Sequence, residues 1–111
     1  MRRKIPSTQA LACFEAAARH ESYTRAAQEL ALTQSAVSRQ IAALEAYLGV
    51  QLFRRTRHGV VLTASGAEYA RQTGRLLESL ERVTLDAVAL QGGGGSLTLG
   101  AVPTFATRWL L

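Results

Sequence analysis

Cysteine occurs once, at Cys13, and a lone thiol excludes an intrachain disulfide framework and any metal site built from cysteines of one chain. Its expected role is that of a small buried side chain in a reducing cytoplasm. Histidine is confined to His20 and His58, too isolated from each other to suggest a metal pair. Only two prolines interrupt a chain that is 48% apolar, which favours a folded, helix-rich domain over a disordered one. No apolar run approaches the roughly 18 residues of a membrane span, so no membrane partner is expected. The start "MRRKIPSTQALACFEAAA" has the basic tip of a signal peptide, but Gln9 and Glu15 interrupt its apolar core. The "GGGGS" at 92–96 lacks the Lys-Ser or Lys-Thr that a phosphate-binding loop requires. No serine, cysteine or carboxylate pair comes with a companion base at a recognisable spacing, so neither an enzyme nor a cofactor is expected.

What the chain does have is positive charge, unevenly spread. From Met1 to Gly66 there are nine basic residues against four acidic, whereas from Ala67 to Gln91 there are three against four. A basic front attached to a near-neutral segment points to a polyanion such as nucleic acid, although charge alone would also suit an anionic membrane surface. At 111 residues the chain has room for one small core, and a dimer interface would add apolar burial.

Helical spacing organises the front. In "PSTQALACFEAAARH", Pro6 and Ser7 suit a helix start, and Leu11, Phe14 and Ala18 recur at helical intervals. In "ESYTRAAQEL", Ser22 suits an N-cap, and Ala26, Ala27 and Leu30 form a tight apolar face that lets a neighbouring helix approach closely. The third helix, "LTQSAVSRQIAALEAYLG", has Thr33 as its cap, Val37, Ile41, Leu44 and Leu48 as its buried stripe, and Gly49 as its stop. Its front end is polar, with Gln34, Ser35, Ser38 and Arg39 on the first two turns. Then the period changes: two β-prone runs, Gln51 to Arg54 and Val60 to Leu62, flank the turn-prone "RTRHG", a hairpin with a basic tip. Thr63 caps a last, long helix in which Tyr69, Thr73, Leu76, Leu80, Val83, Ala87 and Leu90 recur as a heptad seam suited to pairing with a second chain.

The expected fold is therefore mainly α, a winged helix-turn-helix of three helices and a two-stranded wing followed by a long dimerisation helix. A helix fits the major groove of double-stranded DNA, and its N-terminal turns reach base edges. Gln34 carries the donor and acceptor that adenine's edge demands, and Arg39 suits guanine or a phosphate. Ser35 and Ser38 suit base or phosphate, while Arg54, Arg55 and Arg57 need only charge and reach to hold phosphates or a minor groove. The bland alternative for each is a solvated surface. Agreement of the cap, buried stripe, short preceding helix and basic hairpin weighs against it.

The elements "T-x-A-A-x-x-L", "T-Q-S-A-V-S-x-Q-I-x-x-L-E-x-x-L-G", "L-F-x-R" and "L-T-x-x-G", in that order between Ile5 and Leu90, closely resemble the N-terminal DNA-binding domain of LysR-type transcriptional regulators. The wording of "AAARHESYTRAA" and "PTFATRWLL" looks most like the subgroup that contains glycine-cleavage activators and β-lactamase regulators. The resemblance implies DNA contacts at Gln34, Ser38, Arg39 and Arg55, with Thr33, Ser35 and Arg57 as neighbours, and an antiparallel homodimer through the long helix that can assemble further into a tetramer. It divides the chain into a DNA-binding domain (1–63), a linker helix (64–91), a glycine hinge (92–95) and the start of an effector-binding domain (96–111), where Thr104 would cap a helix that contacts a small-molecule effector. Nearly all of that effector domain is expected to lie outside this sequence. On that expectation Leu97 to Val102 pack poorly or pair with a neighbouring chain, and Phe105, Trp109, Leu110 and Leu111 are exposed. Two rival functions stay open at this point: a short form that titrates full-length subunits into heterodimers, and a non-specific architectural DNA binder.

Overall fold

The computed structural model describes residues 4–91, and the chain divides into two compact units, Met1–Thr73 and Gly74–Leu111. The glycine run and everything from 96 to 111, including Thr104 and the expected first strand, lie outside the described residues.

The first unit holds α1 (Thr8–His20), α2 (Tyr23–Leu30), α3 (Gln34–Leu48), β1 (Phe53–Thr56), β2 (Gly59–Leu62) and the first ten residues of α4 (Ala64–Gln91). All four helix starts follow the same logic. The hydroxyls of Ser7, Ser22, Thr33 and Thr63 accept from the backbone N–H groups of Ala10, Arg25, Ala36 and Gly66 at 3.0–3.1 Å, satisfying donors that a helix cannot satisfy itself. The stops are less regular. Gly49 ends α3 in the left-handed region, where glycine is at ease, but α1 and α2 end on Glu21 and Ala31 in the same region. Ala31 makes the turn into α3 only three residues long, and Leu32 N–H closes it by donating to the Ala27 carbonyl at 2.9 Å. The strain at Ala31 is tolerated because Ala26, Ala27 and Leu30 on one side and Val37 on the other are buried and fix the crossing of the two helices.

The core follows the sequence stripes. Phe14, Val37, Ile41, Leu44, Leu52 and Cys13 are completely enclosed, and small residues of α1 (Ala10, Ala16, Ala17) bring the helices close. Burial pushes the Cys13 thiol up, away from the reactive thiolate. Leu48, expected in the stripe, is half-buried. An aromatic set joins the elements: Phe14 packs on Phe53 at 5.6 Å and on Tyr69 at 5.4 Å, and Tyr23 meets Phe53 edge-on at 5.4 Å.

The strands differ from the sequence expectation. Gln51 and Leu52 are not paired strand residues; β1 starts at Phe53 and runs through Thr56, antiparallel to β2 in the register Phe53↔Leu62, Arg54↔Val61, Arg55↔Val60 and Thr56↔Gly59. The tip thus shrinks from "RTRHG" to the two residues Arg57 and His58, with Gly59 at φ 137° taking the backbone angle that a side chain would resist. The physical cause lies at the wing root. The carboxylate Oε2 of Glu45 accepts from Leu52 N–H at 2.8 Å and Phe53 N–H at 3.2 Å, while Thr63 donates its N–H to the Leu52 carbonyl at 3.0 Å and its hydroxyl to the Gln51 carbonyl at 2.6 Å. These bonds hold Gln51 and Leu52 at the root, and the paired strand begins at Phe53, two residues later.

The seam of α4 also divides. Tyr69 is half-buried against Phe14 and Thr73 is 3% exposed, so both already have cover within the first unit. In the second unit Leu76, Leu80, Val83 and Leu90 are 69%, 45%, 54% and 82% exposed, and Ala87 is exposed as well.

Two glycines of α4 are expected to behave oppositely. A Cβ at Gly66 would overlap the Leu52 carbonyl, whereas one at Gly74 meets nothing within 4 Å. Gly66→Ala should lower unfolding free energy by about 2–4 kcal/mol through forced displacement of the wing root, and Gly74→Ala should raise it by about 0.5–1 kcal/mol through helix propensity. Urea unfolding of the two variants checks both signs.

Candidate nucleic-acid interface

The residues singled out for DNA contact fall at two places in the first unit. Thr33 is the cap of α3, and Gln34, Ser35 and Arg39 are exposed on its first two turns, with Ser38 half-buried beside them. Helical spacing puts Ser35, Ser38 and Arg39 on one face and Gln34 a turn before Ser38. The second place is the wing, where Arg54, Arg55 and Arg57 are all exposed. Strand alternation separates the first two. Arg55 lies opposite buried Val60 and on the same face as buried Phe53, while Arg54 lies opposite Val61 on the other face. They therefore reach different surroundings and cannot substitute for each other. Arg57 sits in the turn itself, beside exposed His58, whose N–H donates to the Thr56 hydroxyl at 3.3 Å.

The arginines divide by whether the protein already neutralises them. Arg19, at the end of α1, is held by Glu15 at 2.9 Å and by Glu29 of α2 at 2.8 Å, and His20 reaches the other oxygen of Glu29 at 2.8 Å. These fork-like bonds raise the Arg19 pKa further above its already high ordinary value, and the same Arg19 bonds hold the Glu29 carboxyl below the usual carboxylate range. Arg71 is paired with Glu68 at 2.6 Å. In contrast, the side chains of Arg39, Arg54, Arg55 and Arg57 make no hydrogen bond or ion pair with another described residue, and neither do those of Gln34, Ser35 and Ser38. Arg25, in the first turn of α2, is a further exposed cation with no ion-pair partner among the described residues, one that the motif reading passed over. None of α1, α2, α3 and α4 carries an acidic residue in its first turn, so the positive ends of α2 and α3 are not neutralised from within.

Sequence reasoning missed two supporting residues. Glu45 enters the sequence reading only as an acid, yet it ties the end of α3 to the start of the wing. Gly66 lowers helix propensity, yet it is where the helix passes against the Leu52 backbone. The signal for both was their place in the motifs "L-E-x-x-L-G" and "L-T-x-x-G", which spacing alone does not explain.

A short helix, a tight turn, a second helix with an open polar front and a basic two-stranded wing define a winged helix-turn-helix domain, the class whose second helix reads a DNA groove. Residues 8–67 match the family described as bacterial regulatory helix-turn-helix protein, lysR family. Along its whole length the chain is 42% identical to the glycine cleavage system transcriptional activator of Escherichia coli K12, covering 36% of that protein. It is also 46% identical over 104 residues to the transcriptional activator AmpR of Pseudomonas aeruginosa, covering 92% of this chain and 34% of AmpR. Among solved structures, the DNA-binding domain of CbnR in complex with DNA superposes with a TM-score of 0.69 at 34% identity, covering 77% of this chain and 98% of that one. This chain belongs to the LysR family and carries its DNA-binding domain, and it spans about a third of the length of the curated relatives it matches. Among the described residues no helix is long and apolar enough to cross a membrane.

The Arg19, Glu29 and Glu15 network sets an acid limit. Because the folded-state pKa of Glu29 lies below its unfolded value, its stabilisation is fully present above the unfolded carboxylate pKa of about 4.3 and is lost as pH falls through the lower folded value. Glu29→Gln should therefore lower the melting temperature at pH 7 but flatten its decline between about pH 4.5 and 3. Thermal unfolding across that range tests the assignment.

Proposed function

We propose that this chain is the sequence-specific DNA-reading and dimerising part of a bacterial transcriptional regulator, acting in the cytoplasm by binding and not by catalysis. One observation carries the reading: the front of α3 and the wing keep their polar and cationic side chains free of protein partners, in the same unit that neutralises Arg19 with two carboxylates. Gln34, Ser35, Ser38 and Arg39 read bases or fix the helix in the major groove, with Thr33 at its entrance. Arg54, Arg55 and Arg57 hold backbone phosphates. The solved CbnR complex supports the same use of the fold, since that domain was captured on DNA. The exposed stripe Leu76, Leu80, Val83, Ala87 and Leu90 supports a homodimer through α4, because a helix segment with such a face needs cover to be stable in water.

The site that the wild-type chain enriches from a pool of randomised duplexes supplies the probe. Its binding constant should fall with salt at about 0.9 log units per phosphate neutralised, and Gln34→Ala or Arg39→Ala should each cost about 1–3 kcal/mol on that site while leaving random duplex binding less affected. Equal losses on selected and random duplexes would make the chain an architectural binder instead. Leu80→Glu should shift the chain toward monomer in sedimentation equilibrium at micromolar concentration, and an unshifted dimer would move the interface off α4.

A further inference from the structure

We propose that Glu45 is a positioning residue for DNA binding: its carboxylate, reaching from the end of the recognition helix to the first two amides of the wing, sets the direction in which the wing arginines meet phosphates. The proposal rests on the DNA-binding reading above for its functional half. Its structural half stands on the bonds themselves. One oxygen, Oε2, accepts from both Leu52 N–H and Phe53 N–H, so two consecutive amides of the incoming chain point at a single atom on α3. Such bonds to a carboxylate are shorter and stronger than neutral ones. Glu45 is half-buried, and the Leu52 side chain is completely enclosed, so the root lies against the core.

Leverage makes this root matter. From Phe53 to Arg57 is four residues, or about 13 Å of strand at roughly 3.3 Å per residue, so a tilt of about 10° at the root moves the tip by about 2 Å. A charge-assisted contact to phosphate tolerates only a few tenths of an ångström in its donor to acceptor distance. On the far side Thr63 holds the Gln51 and Leu52 carbonyls. Glu45 is thus the link between the helix that reads bases and the element that carries Arg54, Arg55 and Arg57. Tyr23 marks the same neighbourhood: its ring meets Phe53, and burial and then Glu45 push its phenol up while Arg55 pulls it down.

Two substitutions separate reach from charge. Glu45→Asp keeps the charge but withdraws the acceptor from the amides, and Glu45→Gln loses the charge but keeps an oxygen that can accept both bonds. In hydrogen exchange of the full chain, E45D should speed the amides of Leu52 to Leu62 by about tenfold while α1 to α3 stay protected, and E45Q, which keeps the acceptor but not its charge, should speed them clearly less than E45D. On the duplex enriched by the wild-type chain, Arg55→Ala should weaken binding about tenfold in the wild-type background but less than about twofold in E45D, whereas Gln34→Ala should cost the same in both. A wing as protected in E45D as in wild type, or an Arg55→Ala cost unchanged in E45D, would overturn the proposal. So would an E45Q wing looser than that of E45D. If the wild-type chain enriches no duplex, the DNA-binding reading fails by itself, and the exchange arm still decides whether Glu45 holds the wing.

Discussion

Everything that aims this domain passes through the backbone of Leu52. Its N–H is bound by Glu45 from α3, its carbonyl by Thr63 at the head of α4, and its side chain is completely buried in the core. The same carbonyl faces Gly66, where any Cβ would collide with it. A single residue between two secondary elements thus fixes the end of the recognition helix, the start of the wing and the first turn of the long helix. Each bond is modest, but they share one rigid peptide plane on each side of Leu52, so losing one leaves the others without their geometry.

Charge allocation follows from that rigidity. The domain places three of its acids where they bind inward: Glu15 and Glu29 enclose Arg19 at the α1–α2 junction, and Glu45 is spent on backbone amides. The arginines of α3 and the wing are left with no counter-charge among the described residues. A field produced this way is an outcome of where the acids are used rather than of a large net charge. It is also a field that a phosphate backbone neutralises with little competition from the protein's own carboxylates.

Much of this was legible in the sequence. Ser22 and Thr33 announced their helices because a hydroxyl before an amphipathic run has one efficient use, and Val37, Ile41 and Leu44 lie buried where a 3.6-residue period puts them. The winged helix-turn-helix and the LysR family followed from those elements in order. The strand limits were not legible, because "QLFR" reads as one β-prone run, whereas in the fold Glu45 and Thr63 hold Gln51 and Leu52 at the wing root and the paired strand starts at Phe53. Nor was the left-handed Ala31, since local preference assigns that position to glycine and only the packing of Ala26, Ala27 and Leu30 against α3 overrides it. The division of labour between Arg54 and Arg55 was likewise hidden until the register with Val61 and Val60 was known. The two arginines are adjacent in sequence and opposite in space.

The long helix shows how one periodicity can serve two ends. Tyr69 and Thr73 continue the heptad that includes Leu76, Leu80, Val83 and Leu90, yet Tyr69 packs on Phe14 and Thr73 is buried while the later four are exposed. Sequence pattern cannot mark the change, because an apolar stripe reads the same whether its cover comes from its own domain or from another chain. Gly74 lies directly after the last buried position, and a glycine there withholds helix propensity where the core's support stops. On the dimer reading, the helix beyond Gly74 gains its stability from the partner and not from the domain behind it.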